Sequence, residues 1–128
     1  MRFTSDTPAG HTIRSYESGQ IILSDRQLSA PAILSAERII DDWSPPASGQ
    51  LSLADLEPAL ALQPEIILLG TGSQQRFPDI HLLTAVMRLG IAIEVMQTAA
   101  ACRTFNVLIG EKRAVVALLL ADPAGSPG

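Results

Sequence analysis

The fold is decided by the stretch EIILLGTGSQQRFPDIHLLTAVMRLGIAIEVMQTAAACRTFNVLIG, Glu65–Gly110. Its first five residues, Glu65–Leu69, are a nearly continuous apolar run, which is typical of a strand covered on both faces. The glycine-rich Gly70–Ser73 ends that strand, and Pro78–Gly90 has the signals of a helix that stops at a glycine. A second apolar strand, Ile91–Val95, follows almost at once. The pattern predicts two parallel strands joined by a right-handed helical crossover.

Two further elements follow on the carboxyl side. Thr98 is the predicted N-cap of a helix that runs to Ile109 and stops at Gly110, and Ala114–Leu120 is a final apolar strand. In the preceding helix the polar residues His81, Thr84 and Arg88 fall on one narrow stripe. We therefore expect that helix to be mostly buried, with this stripe as its exposed edge and as a candidate protein-interaction surface.

The amino-terminal half predicts a small antiparallel β layer. His11–Tyr16 and Gln20–Ser24 flank a Glu17-Ser18-Gly19 turn and predict a hairpin, and Ala32–Ser35 and Arg38–Trp43 predict one or two more strands. A Pro/Gly loop at 44–49 joins this layer to the α/β half. Beyond it, Ser52 and Asp55 resemble a helix start, but Pro58 interrupts the apolar pattern. The helix at 53–62 is therefore very short, kinked, or begins near Pro58.

Length and composition bound the class of protein. The 128 residues predict one domain over residues 11–120, with a flexible lead-in at 1–10 and a disordered Pro/Gly tail at 121–128. A net charge of -4 and dispersed arginines argue against nucleic acid as a partner. No apolar run approaches the length of a membrane span, and the start of the chain lacks a secretory h-region. With a single cysteine, these features predict a soluble cytoplasmic protein.

Several residues are candidates for a ligand site. Gly70, Gly72 and Ser73 follow a buried strand, as in phosphate-binding loops, but the third glycine of a dinucleotide fingerprint and the lysine of a P-loop are absent. The alternative is a tight turn that needs positive φ. Arg76 lies in the same loop and would hold an anion together with Ser73 and Arg103; otherwise it is a surface arginine.

Cys102 is the single thiol and the best candidate for a nucleophile. Asn106 lies one turn further along the same helix and would line a cleft with it. A free cysteine in an apolar helix is more often a small core residue, and no partner histidine can be identified from the sequence. Two histidines and one cysteine without ligand spacing predict no metal site.

Three blocks of the chain, LLGTGSQQRFPD (Leu68–Asp79), GIAIEVMQTAAACRTFNVL (Gly90–Leu108) and the terminal apolar strand, resemble a known family. This is the small bacterial and mitochondrial domain-of-unknown-function family that includes a mitochondrial respiratory complex I assembly factor. The resemblance implies a three-layer β/β/α fold of the α/β (α+β) class, with an antiparallel β layer packed on a mixed sheet with helices. It implies no catalytic activity, cofactor or substrate, and it implies that the mitochondrial members act through protein partners.

Two hypotheses follow. The first is a non-catalytic protein-interaction module that resembles a respiratory complex assembly factor, with an unidentified protein partner and with homodimerisation through an exposed strand as a further prediction. The second is an anion or small-molecule binding domain, or an enzyme, that uses the glycine loop, Arg76 and Cys102. The second requires those residues to converge on one cleft. The first is favoured, because the pairings that catalysis needs are missing.

Overall fold

The computed structural model describes residues 12–47 and 49–123, which form two sheets and the helices packed on them. The smaller sheet is antiparallel, in the order β1 (Ile13–Glu17), β2 (Gln20–Leu23), β3 (Gln27–Ser29). The larger sheet has the order β5 (Ile39–Ile40), β4 (Ala32–Ser35), β8 (Val115–Leu120), β6 (Ile66–Thr71), β7 (Ala92–Met96). The helices are α1 (Glu57–Leu60), α2 (Ile80–Arg88) and α3 (Thr98–Gly110).

The larger sheet is mixed and lies between two hydrophobic cores. Its strand β6 pairs in parallel with both β7 and β8, while β4 pairs antiparallel with β8. On one face Leu68 packs with α3 and the smaller sheet, and on the other face Leu69 packs with the helical segment before β6 and with α2. The predicted α/β fold of three layers is confirmed, and so is the parallel β-α-β unit at its centre.

Strand β6 shows why its sequence is apolar throughout. All six of its residues are buried, because successive side chains point to opposite faces of the sheet and both faces are covered. The same holds for β8, which is buried along its whole length. These two neighbouring strands bring the loops at their carboxyl ends, and the amino end of α3, to one edge of the sheet.

The amino-terminal hairpin is confirmed, but the composition of the β layer was predicted wrongly. The turn uses Ser18 and Gly19, both at positive φ, and the first residue of the predicted hairpin, His11, lies outside the described residues. Strands β4 and β5 belong to the larger sheet, because Ile33 packs into one core and Leu34 into the other, which an exposed β layer could not provide. Strand β3 was not predicted.

Both helices before and after β6 also differ from expectation. Leu53–Leu56 is a 3₁₀ turn, and α1 begins next to Pro58, which settles the open question about this helix in favour of a short one. Helix α2 is not mostly buried: only Leu82 and Val86 are buried, and Ile80, Met87 and Leu89 beside its polar stripe are exposed. The helix ends at Arg88, two residues before the predicted end at Gly90, which has φ +81° and follows the helix as the expected stop.

Candidate functional site

The glycine loop after β6 is held by a buried threonine at the start of α3. The Gly72 N–H donates to the Thr98 hydroxyl at 2.7 Å, and that hydroxyl donates to the Leu120 carbonyl at 2.8 Å. The Thr98 N–H in turn donates to the Gly72 carbonyl at 2.9 Å. Thr98 is fully buried. One side chain therefore joins the ends of β6 and β8 to the first turn of α3.

The two glycines of the loop serve this junction in different ways. A Cβ at Gly70 would lie 2.8 Å from the Thr98 Cα and 3.2 Å from the Ala101 Cβ, so only glycine allows α3 to lie this close to β6. Gly72 has φ +91°, and a Cβ there would collide with Asp122. The interpretation of the loop as a tight turn thus accounts for Gly72, whereas Gly70, a residue of β6, is explained by the close approach of α3.

The carboxylate of Asp122 occupies the position in which the hydrogen-bond donors of the loop could hold an anion. The Asp122 carboxylate accepts hydrogen bonds from the Ser73 N–H at 2.7 Å and the Ser73 hydroxyl at 2.9 Å. These bonds hold the pKa of Asp122 below its ordinary value. An external anion at Ser73 would have to displace this carboxylate. Ala121–Pro123 of the expected tail are among the described residues, and residues 124–128 lie outside them.

Arg76 lies further along the same loop and faces solvent. Its backbone N–H donates to the Thr71 hydroxyl at 3.0 Å, and its guanidinium donates to the Gln74 side-chain oxygen at 3.3 Å. It lines a cavity of about 150 Å³ whose other walls are largely apolar, among them Phe77 and Pro123. Among the described residues that line this cavity there is no second cationic group, and the Asp122 carboxylate, whose pKa the charge of Arg76 helps to lower, would repel an anion.

Cys102 lies in a different place, between α3 and β1. It is 4% exposed, and burial raises the pKa of its thiol to about 12, with only partial compensation by the charge of Arg103. The shallow pocket beside it is lined by β1 together with Cys102, Arg103 and Asn106. A thiol in this state is almost entirely protonated at neutral pH and is a poor nucleophile.

Asn106 has a structural role in that pocket. Its side-chain oxygen accepts from the Ile13 N–H at 2.8 Å, and its side-chain nitrogen donates to the Ile13 carbonyl at 2.6 Å. The amide thus pairs with the edge of β1 as a neighbouring strand would. It ties the smaller sheet to α3.

The predicted ligand residues therefore fall into two separate groups. Gly70 lies within β6, which continues to Thr71 and does not end at Gly70 as predicted, and Gly72, Ser73 and Arg76 belong to the loop that follows. Cys102, Arg103 and Asn106 lie along α3 at the pocket beside β1. Arg76 and Cys102 share no cavity, because the first borders the core under α2 and the second is part of the core under α3. The convergence that the second hypothesis requires is not seen.

Two residues that organise the loop were missed from the sequence. Thr98 was predicted to be an N-cap, but that position is taken by Gln97, and the Thr98 hydroxyl points inward. Asp122 was placed in the tail, and nothing in its sequence context indicates a partner 49 residues away. A lone threonine before three alanines is a weak signal of a buried hydroxyl, and it could be interpreted only once β6 and β8 were known to be neighbours.

The exposed face of α2 is the other candidate site. His81 and Arg88 are exposed and Thr84 is half-buried, as predicted for the polar stripe. Beside them lie Ile80 and Met87, which are 65% and 54% exposed. Large apolar side chains next to Arg and His on a helix surface are typical of protein-binding surfaces, in which Met, aromatic residues and Arg are enriched.

Residues 12–47 and 49–123 bear on metal binding and on membrane spanning. No three His, Cys, Asp or Glu side chains there come together as a group that could hold a metal ion. None of the helices in that part of the chain has the length and apolarity needed to cross a bilayer.

Comparison with known proteins places this fold and loop in a family. Residues 13–120 match the model described as "Protein of unknown function (DUF498/DUF598)". The solution structure of a Xanthomonas campestris protein is 32% identical, covers all of this chain and 98% of that one, and has a TM-score of 0.81. The chain belongs to the DUF498/DUF598 family, which includes mitochondrial complex I assembly factors, as the resemblance implied.

Two curated relatives have descriptive names. The zebrafish (Danio rerio) "NADH dehydrogenase [ubiquinone] 1 alpha subcomplex assembly factor 3" is 32% identical over 94% of this chain and 70% of its own length. The "13 kDa major membrane protein" of Francisella tularensis is 31% identical over 84% of this chain and 88% of its own length. Each of these names describes the relative and not this chain.

Proposed function

We propose that this protein is a non-catalytic protein-interaction module that assists the assembly of a multi-subunit NADH dehydrogenase, and that it works in the cytoplasm. The observation that carries the proposal is the similarity along nearly the whole chain to assembly factors of that complex. The buried, protonated thiol of Cys102 and the occupied glycine loop agree with it, because each removes a candidate for chemistry.

The partner surface that we propose is the exposed face of α2, formed by Ile80, His81, Thr84 and Arg88. Its apolar and basic side chains would contact a protein partner with an apolar patch and acidic groups. The surface lies beside a shallow groove that α2 forms with the segment before it, lined by Leu51, Leu53 and Leu82 among others. A partner helix or loop that filled this groove would bury Leu53, which is 39% exposed.

The test uses a strain that lacks the gene, complemented with variants, and measures assembled NADH dehydrogenase on native gels. The variant Ile80→Asp with Arg88→Glu keeps an exposed helix face but reverses its character, and we expect the assembled complex to fall at least several-fold. Val107→Asp on α3 is the matched control, because Val107 is 59% exposed and lies away from α2. Normal assembly without the gene, or equal loss with the control, would refute the proposal.

The alternative, an anion or small-molecule binding domain, has one supporting observation, the cavity at Arg76. Its test is binding of a carboxylate or phosphate probe to the wild type and to Arg76→Ala, followed by calorimetry. We expect no binding that depends on Arg76, because no second cation faces the cavity.

A further inference from the structure

Strand β7 forms one edge of the larger sheet and has free backbone groups. The Ala92 N–H donates to the Glu65 carbonyl at 3.1 Å, which turns Ala92, Glu94 and Met96 toward β6, since alternate residues of a parallel strand face the same neighbour. Ile93 and Val95 therefore point their N–H and C=O groups away from the sheet. Gln75 donates to the Val95 carbonyl at 2.9 Å, and within the described residues the outward groups of Ile93 have no partner.

An apolar flank of α2 runs along this same edge. The opposite flank, with His81 and Ala85, faces Leu53 and the 3₁₀ turn. Helical geometry then places Ile80, Leu83 and Met87 on the side away from that turn, above β7, which α2 contacts. An edge strand with free hydrogen-bonding groups and exposed apolar cover is the arrangement that accepts another strand.

We propose that the β7 edge binds the β7 edge of a second copy of this chain, antiparallel and with Ile93 opposite its own copy. In this register the two Ile93 residues exchange two backbone hydrogen bonds, and Val95 meets Ile91 of the other copy. Glu94 lies opposite Ala92 of the other copy, so no like charges face each other. A twofold axis at Glu94 would oppose two carboxylates. In the proposed register the Val95 carbonyl accepts from Gln75 and, with its second lone pair, from the Ile91 N–H of the other copy.

The residues of β7 are complementary to the β7 edge of a second copy. On the α2 face a partner strand needs apolar residues opposite Ile91, Ile93 and Val95, and on the other face a small or basic residue opposite Glu94. Strand β7 offers Val95, Ile93 and Ala92 at those positions, and the residue before it is Ile91. This self-complementarity favours a second copy over an unrelated strand, and the inference does not depend on the proposed function.

The test measures the dimer dissociation constant of the full chain by sedimentation equilibrium, with substitutions at Ala92, which is exposed. Ala92→Lys would face Glu94 of the other copy and should tighten the dimer, whereas Ala92→Glu should weaken it about tenfold at low salt. Because the chain has a net charge of -4, opposite effects at Ala92 that exceed those of the same two charges at Val107 are expected if Ala92 faces an acidic residue across the interface. A monomeric wild type, or the same effect from both charges, would overturn the proposal.

A second pair of variants tests the helix flank. Met87→Lys should weaken the dimer about tenfold, because it places a charge in the apolar contact beside β7. Val107→Lys is the control of similar exposure on α3 and should leave the dissociation constant nearly unchanged. Circular dichroism of each variant confirms that the monomer is folded. A wild-type dimer whose dissociation constant changes with neither Met87→Lys nor Ala92→Glu would overturn the proposal, because another surface would then form the dimer.

Discussion

At the scale of single residues, Thr98 contributes more to holding the glycine loop in place than Gly70 or Gly72 does. Its hydroxyl satisfies a buried N–H and a buried carbonyl at once, at Gly72 and Leu120. Thr98→Val keeps the shape and removes both bonds. We expect the free energy of unfolding to fall by about 2–4 kcal/mol, since each buried group left without a partner costs about 1–3 kcal/mol and partial relaxation is expected.

Chemical denaturation of Thr98→Val and of a control variant, Thr104→Val, measures this difference. Thr104 lies on the same helix but is half-buried, and its hydroxyl reaches only the Met96 sulfur at 3.6 Å. The control should lose less than about 1 kcal/mol, because sulfur is a weak acceptor. Equal losses in both variants would mean that the loop does not depend on the buried hydroxyl.

Asp122 predicts a pH dependence of stability. Because hydrogen bonds from Ser73 lower its pKa in the folded state, the carboxylate stabilises the fold above its unfolded-state pKa, and this stabilisation is lost as the pH falls through the lower, folded-state pKa. The stability difference between wild type and Asp122→Asn should therefore be constant near neutrality and shrink in acid. Chemical denaturation of both proteins at pH values between about 2 and 7, the range in which carboxylates titrate, checks this.

A second variant tests the cause of that shift. Ser73→Ala removes the hydroxyl that donates to Asp122 and keeps the backbone donor. The pKa of Asp122, followed by NMR, should then rise part of the way toward its ordinary value. An unchanged pKa in Ser73→Ala would assign the whole shift to the backbone bond.

At the scale of elements, the packing of α3 on β6 depends on the absence of a side chain at Gly70. Gly70→Ala would press its Cβ against the backbone of α3 at Thr98, which cannot move independently of the helix. We expect a loss of about 1–3 kcal/mol in unfolding free energy from overpacking. Gly110→Ala is the control, because a Cβ at that helix end meets nothing within 4 Å and should be neutral or slightly stabilising.

Elements also show what a sequence can and cannot predict. The apolar run of β6 and the Ser18-Gly19 turn are local signals, so the strand and hairpin were predicted correctly. The sheet that a strand joins is not a local property: β4 pairs with β8, more than 80 residues further along the chain, and nothing between Ala32 and Ser35 specifies that partner. The exposure of Met87 was missed for the same reason, since α2 covers an edge strand and is itself not covered.

At the scale of the whole molecule, the residues that look like a reaction centre in the sequence do not line one cavity: Arg76 borders the core under α2, and Cys102 is part of the core under α3. The glycine loop holds its own carboxylate, and the cysteine packs in the core under α3. Family membership and the three-layer fold were predictable because the motif blocks are long. The separation of Arg76 from Cys102 was not predictable, because the sequence does not specify the face of the sheet on which each helix packs.

The most direct test of a scaffolding role for these residues is the reaction rate of the Cys102 thiol with a disulfide reagent in the native protein at neutral pH. With the thiol buried and its pKa at about 12, we expect modification to be orders of magnitude slower than in denaturant, and to be limited by opening of the fold. A native rate that equals or exceeds the rate in denaturant would reveal an accessible, activated thiolate and would contradict a non-catalytic role.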